Sequence, residues 1–452
     1  MTARERAMER GVNCKTRLSR TLSLRDLLIY GAVVLGVTAP MPAFGVLSER
    51  GGGHVVSAIL LAMVAMLCTS VSYGRMATAY PSAGSAFTYV AREMHPGLGY
   101  MVGWSLALDY VLGPVNCIIW CAEQSHEFFT PIPVFVWILT FALVITQLNL
   151  QGIRSSARLN TILVTATGAV VLLVLLAAIH YVFNHPHAGH GYFIRPFYDK
   201  ATFSYRGLLG GTSIAVLSYL GFDAITTLSE ETKNPRVNVP LATVLACFLI
   251  GIISAAEVYA AQLVWPASEP FPNVDTAYVW VAARMWAPLF HILGLTILIA
   301  TFGSGVASQL GGARLLYAMG RSGAIPSSFF GVVDSKHRIP RNCVMFCGAV
   351  VLIGSLLMSY ELAVEMINFG ALIAFIGVNA ASLVHFFWRA PRRRAINFVV
   401  PVIGLLTCFS LWIGLSNAAK LLGVIWMMMG VAYGMWRTRS FRLSLSFDVC
   451  DE

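Results

Sequence analysis

Apolar runs of about 20 residues recur along the whole chain, separated by short polar or proline- and glycine-containing breaks. A run of this length is what a helix needs to cross a bilayer. The pattern predicts an all-α polytopic membrane protein of twelve transmembrane helices. The predicted spans lie at about 25–47, 55–79, 98–121, 131–150, 159–182, 207–228, 240–263, 286–309, 342–360, 362–388, 396–416 and 419–436.

Composition and charge agree with this assignment. Of the 452 residues, 57% are hydrophobic and 12% charged, whereas about 25% of a typical soluble domain is charged. If both termini are cytoplasmic, 25 of the 31 Lys and Arg residues lie on that side, as the positive-inside rule expects. The net charge of +10 therefore indicates topology in a plasma or inner membrane, and no nucleic-acid partner is expected.

Two predicted spans contain residues that interrupt a helix. The first span carries Gly36-Val37-Thr38-Ala39-Pro40-Met41-Pro42, and the sixth carries Gly210-Gly211 followed by Ser218-Tyr219-Leu220-Gly221-Phe222-Asp223. Interrupted helices at corresponding positions of two halves indicate the midplane site of an inverted-repeat transporter, where freed carbonyls and half-helix ends bind charged groups. The alternative is that both are packing kinks, which proline and glycine commonly make in membrane helices.

The ionisable residues that call for an explanation inside the predicted spans are acidic, and no Lys or Arg lies centrally in any span. Asp109 lies in the third span, Asp223 at the sixth-span break and Glu257 in the seventh, while Glu123 and Glu365 lie near span ends and are expected to be solvated. A carboxyl group facing a cavity would carry a coupling proton or attract a substrate amine.

Alternative interpretations of these acids remain open. Asp223 could cap backbone amides or accept hydrogen bonds from Thr226 or Thr227, and Glu257 could be neutral and bonded to a neighbouring helix.

Several long motifs, present together and in order, resemble one known family. Residues 73–90, YGRMATAYPSAGSAFTYV, resemble the signature that joins helices 2 and 3 in permeases of the amino acid-polyamine-organocation superfamily. Further matches are GW at 103–104 with DY at 109–110, NLQGI at 149–153 with SARLN at 156–160, GFD at 221–223 with EETKNP at 230–235, and ARLLYAMGRSGAIP at 313–326. Residues 103–110 and 220–232 are most similar to the putrescine-importer branch.

The resemblance implies a fold and a mode of action. A cytoplasmic tail, 1–24, would precede a transport core of five-plus-five inverted repeats, 25–388, with helices 1 and 6 unwound at their centres. The last two helices, 389–437, and a cytoplasmic tail, 438–452, would follow. Proteins of this superfamily transport by alternating access and are not enzymes, so no cofactor is expected.

The chain departs from the family pattern at two places. Amino-acid transporters of the family commonly have a Gly-Ser-Gly-type run in helix 1, whose amides receive the substrate carboxylate, but this chain has Val37-Thr38-Ala39-Pro40 there. The departure favours an amine that lacks a carboxylate. A family lysine in helix 5 that stands in for sodium is also absent from residues 163–167.

The resemblance and the residue chemistry together suggest a site. Substrate would contact Val37, Thr38, Ala39, Tyr110, Ser218, Tyr219, Gly221, Phe222 and Asp223, with the aromatic residues attracting an ammonium group or forming ordinary core. Asp223, and less directly Glu257, would carry a coupling proton. Sodium could instead bind helix-1 carbonyls with Ser304 and Ser308, although such hydroxyls also serve helix packing.

A transition metal could bind the three loop histidines His185, His187 and His190. No Cys or carboxylate lies at a defined spacing from them, which favours a solvated loop. No metal is therefore predicted.

The sequence thus predicts a secondary active transporter, a proton-coupled symporter or an exchanger, that imports a polyamine such as putrescine or an amino acid. A neutral or cationic amino acid permease or antiporter is the near alternative. A membrane sensor or complex subunit without transport activity is the alternative of another class. A homodimer is compatible with each of these three functions.

Overall fold

The computed structural model describes residues 21–80, 85–151, 157–185, 191–229, 231–321, 326–334 and 339–438. The predictions for most of the two tails, and for His187 and His190, lie outside these residues. Within them the chain forms helices joined by turns and irregular segments, and the β-type pairing is one isolated bridge between Leu22 and Thr232.

The helices follow one another without any strand in the described part of the chain. Their bounds are α1 Leu24–Leu35, α2 Pro40–Arg50, α3 Val55–Ala79, α4 Ser85–Glu93, α5 Pro96–Phe128, α6 Val134–Leu150, α7 Ala157–Asn184, α8 Tyr205–Ala215, α9 Ala224–Thr227, α10 Pro235–Val264, α11 Ala277–Met285, α12 Leu289–Arg321, α13 Ser327–Phe330, α14 Arg341–Leu357, α15 Tyr360–Leu383, α16 Ile396–Gly414 and α17 Asn417–Thr438.

The prediction of many membrane-length apolar helices is confirmed. Nine helices in the described residues are long and apolar enough to cross a membrane, and ten if the bent pair α1 and α2 is one span. The shorter apolar helices α6 and α14 occupy the fourth and ninth predicted spans. The predicted third and eighth spans are too short, because α5 and α12 each extend to 33 residues.

Three helices lie in segments that the sequence pattern predicts as loops: the single turn α13 and the nine-residue helices α4 and α11. Helix α4 buries Ala86, Thr88, Tyr89, Val90 and Glu93, and all of these except Thr88 are spaced so that they lie on one helical face. It packs on α5 and α15. Burial of this one face stabilises a helix that is too short to be stable alone.

Helix α15 lies in the middle of the bundle. Of its membrane-length window 72% is buried, against 22% for α7 and for α17. A Cβ at Gly370 would lie 2.3 Å from the Ser105 carbonyl oxygen, so α15 and α5 can approach this closely only with glycine there. Asn379 of α15 donates to Thr69 Oγ1 at 3.0 Å and accepts from Ser72 Oγ at 2.7 Å, which joins α15 to α3.

One end of the bundle, called here the Glu93 end, is held by a buried carboxylate. Glu93 accepts a hydrogen bond from the Tyr80 hydroxyl, lies 2.7 Å from His385 Nδ1 and accepts from Arg389 at 3.1 Å. His385 and Arg389 belong to the π-helical turn that follows α15 and to its cap. The interaction therefore joins α4 to the end of α15.

Candidate functional site

The first predicted span is broken at residues 36–39, where the predicted interruption lies. Helices α1 and α2 meet at an angle of 53°. Gly36 has φ +77°, a conformation that glycine adopts at little cost. Because α1 ends and α2 begins inside one span, backbone groups there are released from the helical hydrogen-bond pattern.

The amides at the start of α2 are not available to a ligand. A helix leaves its first four N–H groups without a helical partner, and here those positions are Ala39, Pro40, Met41 and Pro42. The two prolines have no N–H group, Ala39 N donates to Gly36 O at 3.1 Å, and Met41 N donates to Thr38 O at 3.1 Å. All four positions are therefore proline or already bonded within the break.

The sixth span is also interrupted. Helix α8 tightens into a 3₁₀ turn, Val216–Tyr219, which is followed by the irregular residues 220–223 and the short helix α9. Gly221 has φ +111°, and a Cβ there would lie 2.6 Å from Val34 Cγ1 and 3.4 Å from the Val34 carbonyl. The two breaks are therefore in direct contact, with the end of α1 packed on Gly221.

The predicted aromatic residues divide into packing and accessible groups. Tyr219 is fully buried and its hydroxyl donates to Ile59 O at 2.9 Å. Phe222 is fully buried, with its ring centroid 5.5 Å from that of Tyr73 and 5.2 Å from that of Phe375. In contrast, 45% of Tyr110 is exposed. Tyr219 and Phe222 thus hold α8 and the break in place, while Tyr110 presents a surface.

The remaining predicted contacts lie at the two breaks. Thr38 and Ser218 are buried, whereas Val37, Ala39, Gly221 and Asp223 are partly exposed.

The carboxylate of Asp223 lies among polar groups from several helices. Its side chain does not cap α9, although backbone amides of Gly221, Asp223 and Ala224 face it. The Thr226 and Thr227 hydroxyls donate instead to the backbone carbonyls of Asp223 and Ala224, at 2.6 and 2.7 Å. The side chains that interact with it electrostatically are Tyr30, Tyr73, Tyr89, Asp109 and Tyr110.

Glu257 lies elsewhere. It is fully buried in α10, and neither carboxylate oxygen has a hydrogen-bond partner among the described residues. Its neighbour is Tyr278 of α11, whose hydroxyl donates to the Glu257 carbonyl at 3.0 Å. The structure therefore does not bring Glu257 to the Asp223 carboxylate.

The two serines proposed for sodium differ in their surroundings. Ser304 is exposed, while Ser308 is partly buried. Ser308 Oγ lies 3.4 Å from the position of a Cβ on Gly113 of α5, and Asp109 Oδ1 lies 3.9 Å from the same point. Ser308 is thus a neighbour of Asp109, a grouping that the sequence pattern does not reveal because 199 positions separate the two residues.

The opposite end of the bundle, called here the Arg50 end, contains interactions that the sequence analysis missed. Glu365, predicted to be solvated, is instead buried. It accepts from Arg50 Nη2 and from Ser416 N, each at 3.0 Å, and from the Ser416 hydroxyl. Arg50 also pairs with Glu361. These contacts join α2, α15 and the start of α17, and the prediction for Glu365 was wrong because its partners are remote in sequence.

Membrane-length helices, two interrupted helices in contact and carboxylates beside the break together define a membrane permease rather than a receptor or a structural bundle. The sequence matches the amino acid permease family over residues 27–441, and the chain belongs to this family.

Individual relatives extend over nearly the whole chain. The low-affinity putrescine importer PlaP of Escherichia coli (strain K12) is 32% identical over 434 residues, 95% of this chain and 96% of that protein. The branched-chain amino acid permease BcaP of Bacillus subtilis (strain 168) is 25% identical over 94% of this chain and 95% of that protein. The vacuolar cationic amino acid transporter 4 of Arabidopsis thaliana is 26% identical over 81% of this chain and 63% of that protein.

Proposed function

We propose that the protein is a proton-coupled importer of a small amine that lacks a carboxylate, such as the polyamine putrescine. Membership of the permease family and the similarity to a putrescine importer support transport of an amine or amino acid. The observation that carries the narrower proposal is the first turn of α2. Two of its four positions are prolines, and the amides of the other two are already bonded.

A half-helix that begins at the middle of a membrane usually receives an anionic substrate group through its free amides and positive dipole end. In this protein Pro40 and Pro42 have no amide proton, and the amides of Ala39 and Met41 are bonded to Gly36 and Thr38. A carboxylate placed at this turn would lose its water and gain no hydrogen bond from these four positions, which is unfavourable. The amides of the break with no backbone partner among the described residues are those of Val37 and Thr38. An amine without a carboxylate avoids this cost.

The ammonium group finds favourable partners at the same breaks. Asp223 supplies a negative charge, and Tyr110 supplies an accessible aromatic surface that attracts an ammonium group by about 0.5–2 kcal/mol. The coupling proton would reside on Asp223 during the part of the cycle in which no amine is bound. An ionised carboxylate without a cation beside it is energetically costly inside a membrane. Binding of the amine and release of the proton would then alternate.

The proposed architecture is twelve transmembrane helices, with α6 and α14 as the fourth and ninth, arranged as five-plus-five inverted repeats and two further helices. Both termini would be cytoplasmic in the inner or plasma membrane, since 25 of 31 Lys and Arg residues then face inward. In this orientation the Arg50 end faces outward and the Glu93 end faces inward. Rocking of the repeats would expose the breaks to each side in turn.

Transport by the full chain in proteoliposomes tests the proposal. Labelled putrescine is supplied under an inward proton gradient without sodium, and unlabelled ornithine is the matched competitor, because it is putrescine with an added carboxylate. We expect gradient-dependent putrescine uptake and competition by ornithine that is at least about tenfold weaker than that by unlabelled putrescine. Equal competition, or uptake of ornithine or leucine without uptake of putrescine, would contradict the proposal.

The role of Asp223 is tested in the same vesicles. We expect Asp223→Asn to abolish putrescine uptake while the variant still elutes as a folded protein, since the change removes the charge and the proton carrier but keeps the shape of the side chain. Glu257→Gln is the comparison. Full uptake by Asp223→Asn, together with loss of gradient dependence in Glu257→Gln, would transfer the coupling role to Glu257.

A further inference from the structure

The transport mechanism proposed above gives no role to Asp109, a partly exposed carboxylate within a predicted span. It lies near the middle of α5, is partly exposed, and has no hydrogen bond or ion pair in the described part of the chain. Its Oδ1 atom and Ser308 Oγ lie 3.9 and 3.4 Å from the position that a Cβ on Gly113 would occupy. The glycine therefore leaves a small space that is bordered by a carboxylate and a hydroxyl.

Asp109 belongs to the same electrostatic environment as Asp223. The two carboxylates interact with each other, and both interact with the Tyr110 side chain. The electrostatic partners of the two carboxylates include no Lys or Arg of the described residues. Two negative groups that share a region of low dielectric repel each other, so positive charge from a ligand would stabilise the pair.

A separate observation points to a ligand on the Asp223 side of this region. The Tyr73 side chain is fully buried, and its hydroxyl has no hydrogen-bond partner among the described residues. Asp223 is foremost among the charged groups that act on it. Buried polar atoms nearly always have a partner, so the unpaired Tyr73 hydroxyl favours a polar group of the ligand near Asp223 in the loaded protein.

We infer that Asp109, with Ser308, forms a second ammonium subsite, so that the substrate is a diamine with a positive charge at each end. One ammonium group contacts Asp223 at the helix breaks, and the other donates to the Asp109 carboxylate and the Ser308 hydroxyl. The inference rests on the proposed function and sharpens it, because a transporter of amines could otherwise recognise a single ammonium group.

The experiment compares a diamine with the monoamine of the same carbon skeleton. Unlabelled putrescine, which is 1,4-diaminobutane, and unlabelled 1-aminobutane each compete against labelled putrescine in proteoliposomes that contain the full chain. We expect 1-aminobutane to compete at least about tenfold more weakly with the native protein. In Asp109→Asn, the KM for putrescine should rise about tenfold, while the inhibition constant of 1-aminobutane should stay within about twofold.

A second variant keeps both charges and alters only the space beside Asp109 and Ser308. The added methyl group of Gly113→Ala would be in ordinary contact with Ser308 and close to Asp109, so the variant should fold and weaken putrescine transport more than 1-aminobutane inhibition. Gly303→Ala, on the same helix as Ser308, is the control, because no atom lies within 4 Å of its added methyl group. This control should leave both amines unaffected.

The results separate this inference from the proposed function. If the two amines compete equally with the native protein, the amine transporter remains but the second subsite is wrong. If Asp109→Asn weakens both amines alike, or loses proton-driven uptake while exchange without a gradient still prefers the diamine, Asp109 has a structural or coupling role and the inference is overturned. If neither amine binds and an amino acid does, the proposed function itself fails.

Discussion

Gly221 is the residue on which contact between the two helix breaks depends. Its backbone has φ +111°, and an added Cβ would lie 2.6 Å from Val34 Cγ1. Side chains rarely tolerate such a conformation, and the strain costs on the order of 1–3 kcal/mol. Alanine at this position would also push the end of α1 away from the sixth-span break.

We therefore expect Gly221→Ala to lower the thermal stability of the purified protein and to reduce putrescine uptake. Gly168→Ala in α7 is the matched control, since its methyl group meets no atom within 4 Å. Melting in detergent, followed by size-exclusion chromatography, and initial uptake rates report the two effects. Equal behaviour of the two variants would show that the close approach of α1 to Gly221 is unimportant.

Asp275, in the segment before α11, is sensitive to pH because of its surroundings. Burial, reinforced by the carboxylates of Glu123, Glu361 and Glu49, raises the pKa of Asp275 to about 6. In the unfolded chain an aspartate has a pKa of about 3.9. The folded protein therefore binds more protons than the unfolded chain between about pH 4 and 6, and stability is lost as the pH rises through this interval.

The expected consequence is a growing advantage for Asp275→Asn as the pH rises. Near pH 4 the native protein and the variant should melt at similar temperatures. Above about pH 6.5 the variant should be more stable, by at most about 3 kcal/mol for a shift of about two pKa units. Melting temperatures of both proteins from pH 4 to 7.5 provide the check, and a difference that does not change with pH would refute the assignment.

At the scale of elements, α2 is held by its buried side chains and by an ion pair at its last residue. Arg50 pairs with Glu361 and Glu365 of α15, and Glu365 is bound in turn by Ser416 at the start of α17. Because Glu365 is buried, removal of Arg50 would leave a desolvated carboxylate with fewer partners. The same contacts join α2, α15 and the start of α17 at the Arg50 end of the bundle.

Arg50→Gln should destabilise the protein by about 1–3 kcal/mol, which is the usual effect of losing one partner of a buried polar group. Arg284→Gln is the control, because Arg284 pairs with Glu269 at a site where both side chains are substantially exposed and such pairs contribute about 0–1 kcal/mol. Thermal melting of the two variants in detergent measures the difference. A loss for Arg50→Gln no greater than for Arg284→Gln would mean that α2 is held by apolar packing instead.

The short helices α4 and α11 show why some elements escape prediction from the pattern of residues. Each has only nine residues and is too short to form by its own propensity. They exist because the bundle offers a surface that buries one of their faces. The long helices differ, since lipid permits no unsatisfied backbone group and therefore makes every long apolar run helical.

At the scale of the whole molecule, the position of each break was predictable while its chemistry was not. Proline and glycine interrupt a helix for local reasons, so Gly36, Pro40 and Gly221 mark the breaks in the sequence itself. The bonding of the Ala39 and Met41 amides to carbonyls within the break depends on the path that the chain follows there. The preference against a carboxylate therefore became an argument from geometry only with the structure.

The sequence by itself determined that the chain is a helical membrane permease, where its helices are interrupted, and which acids lie within the membrane. Hydropathy, helix-breaking residues and family motifs are local properties, and they can be seen without knowing which helices touch. Only the tertiary structure decided which groups share a site. It brought Asp109 and Ser308 together near Asp223, placed Glu257 beside Tyr278, and paired Glu365 with Arg50, 315 positions away. The physical reason is that electrostatic and hydrogen-bonding interactions depend on distances between helices, and packing alone sets those distances.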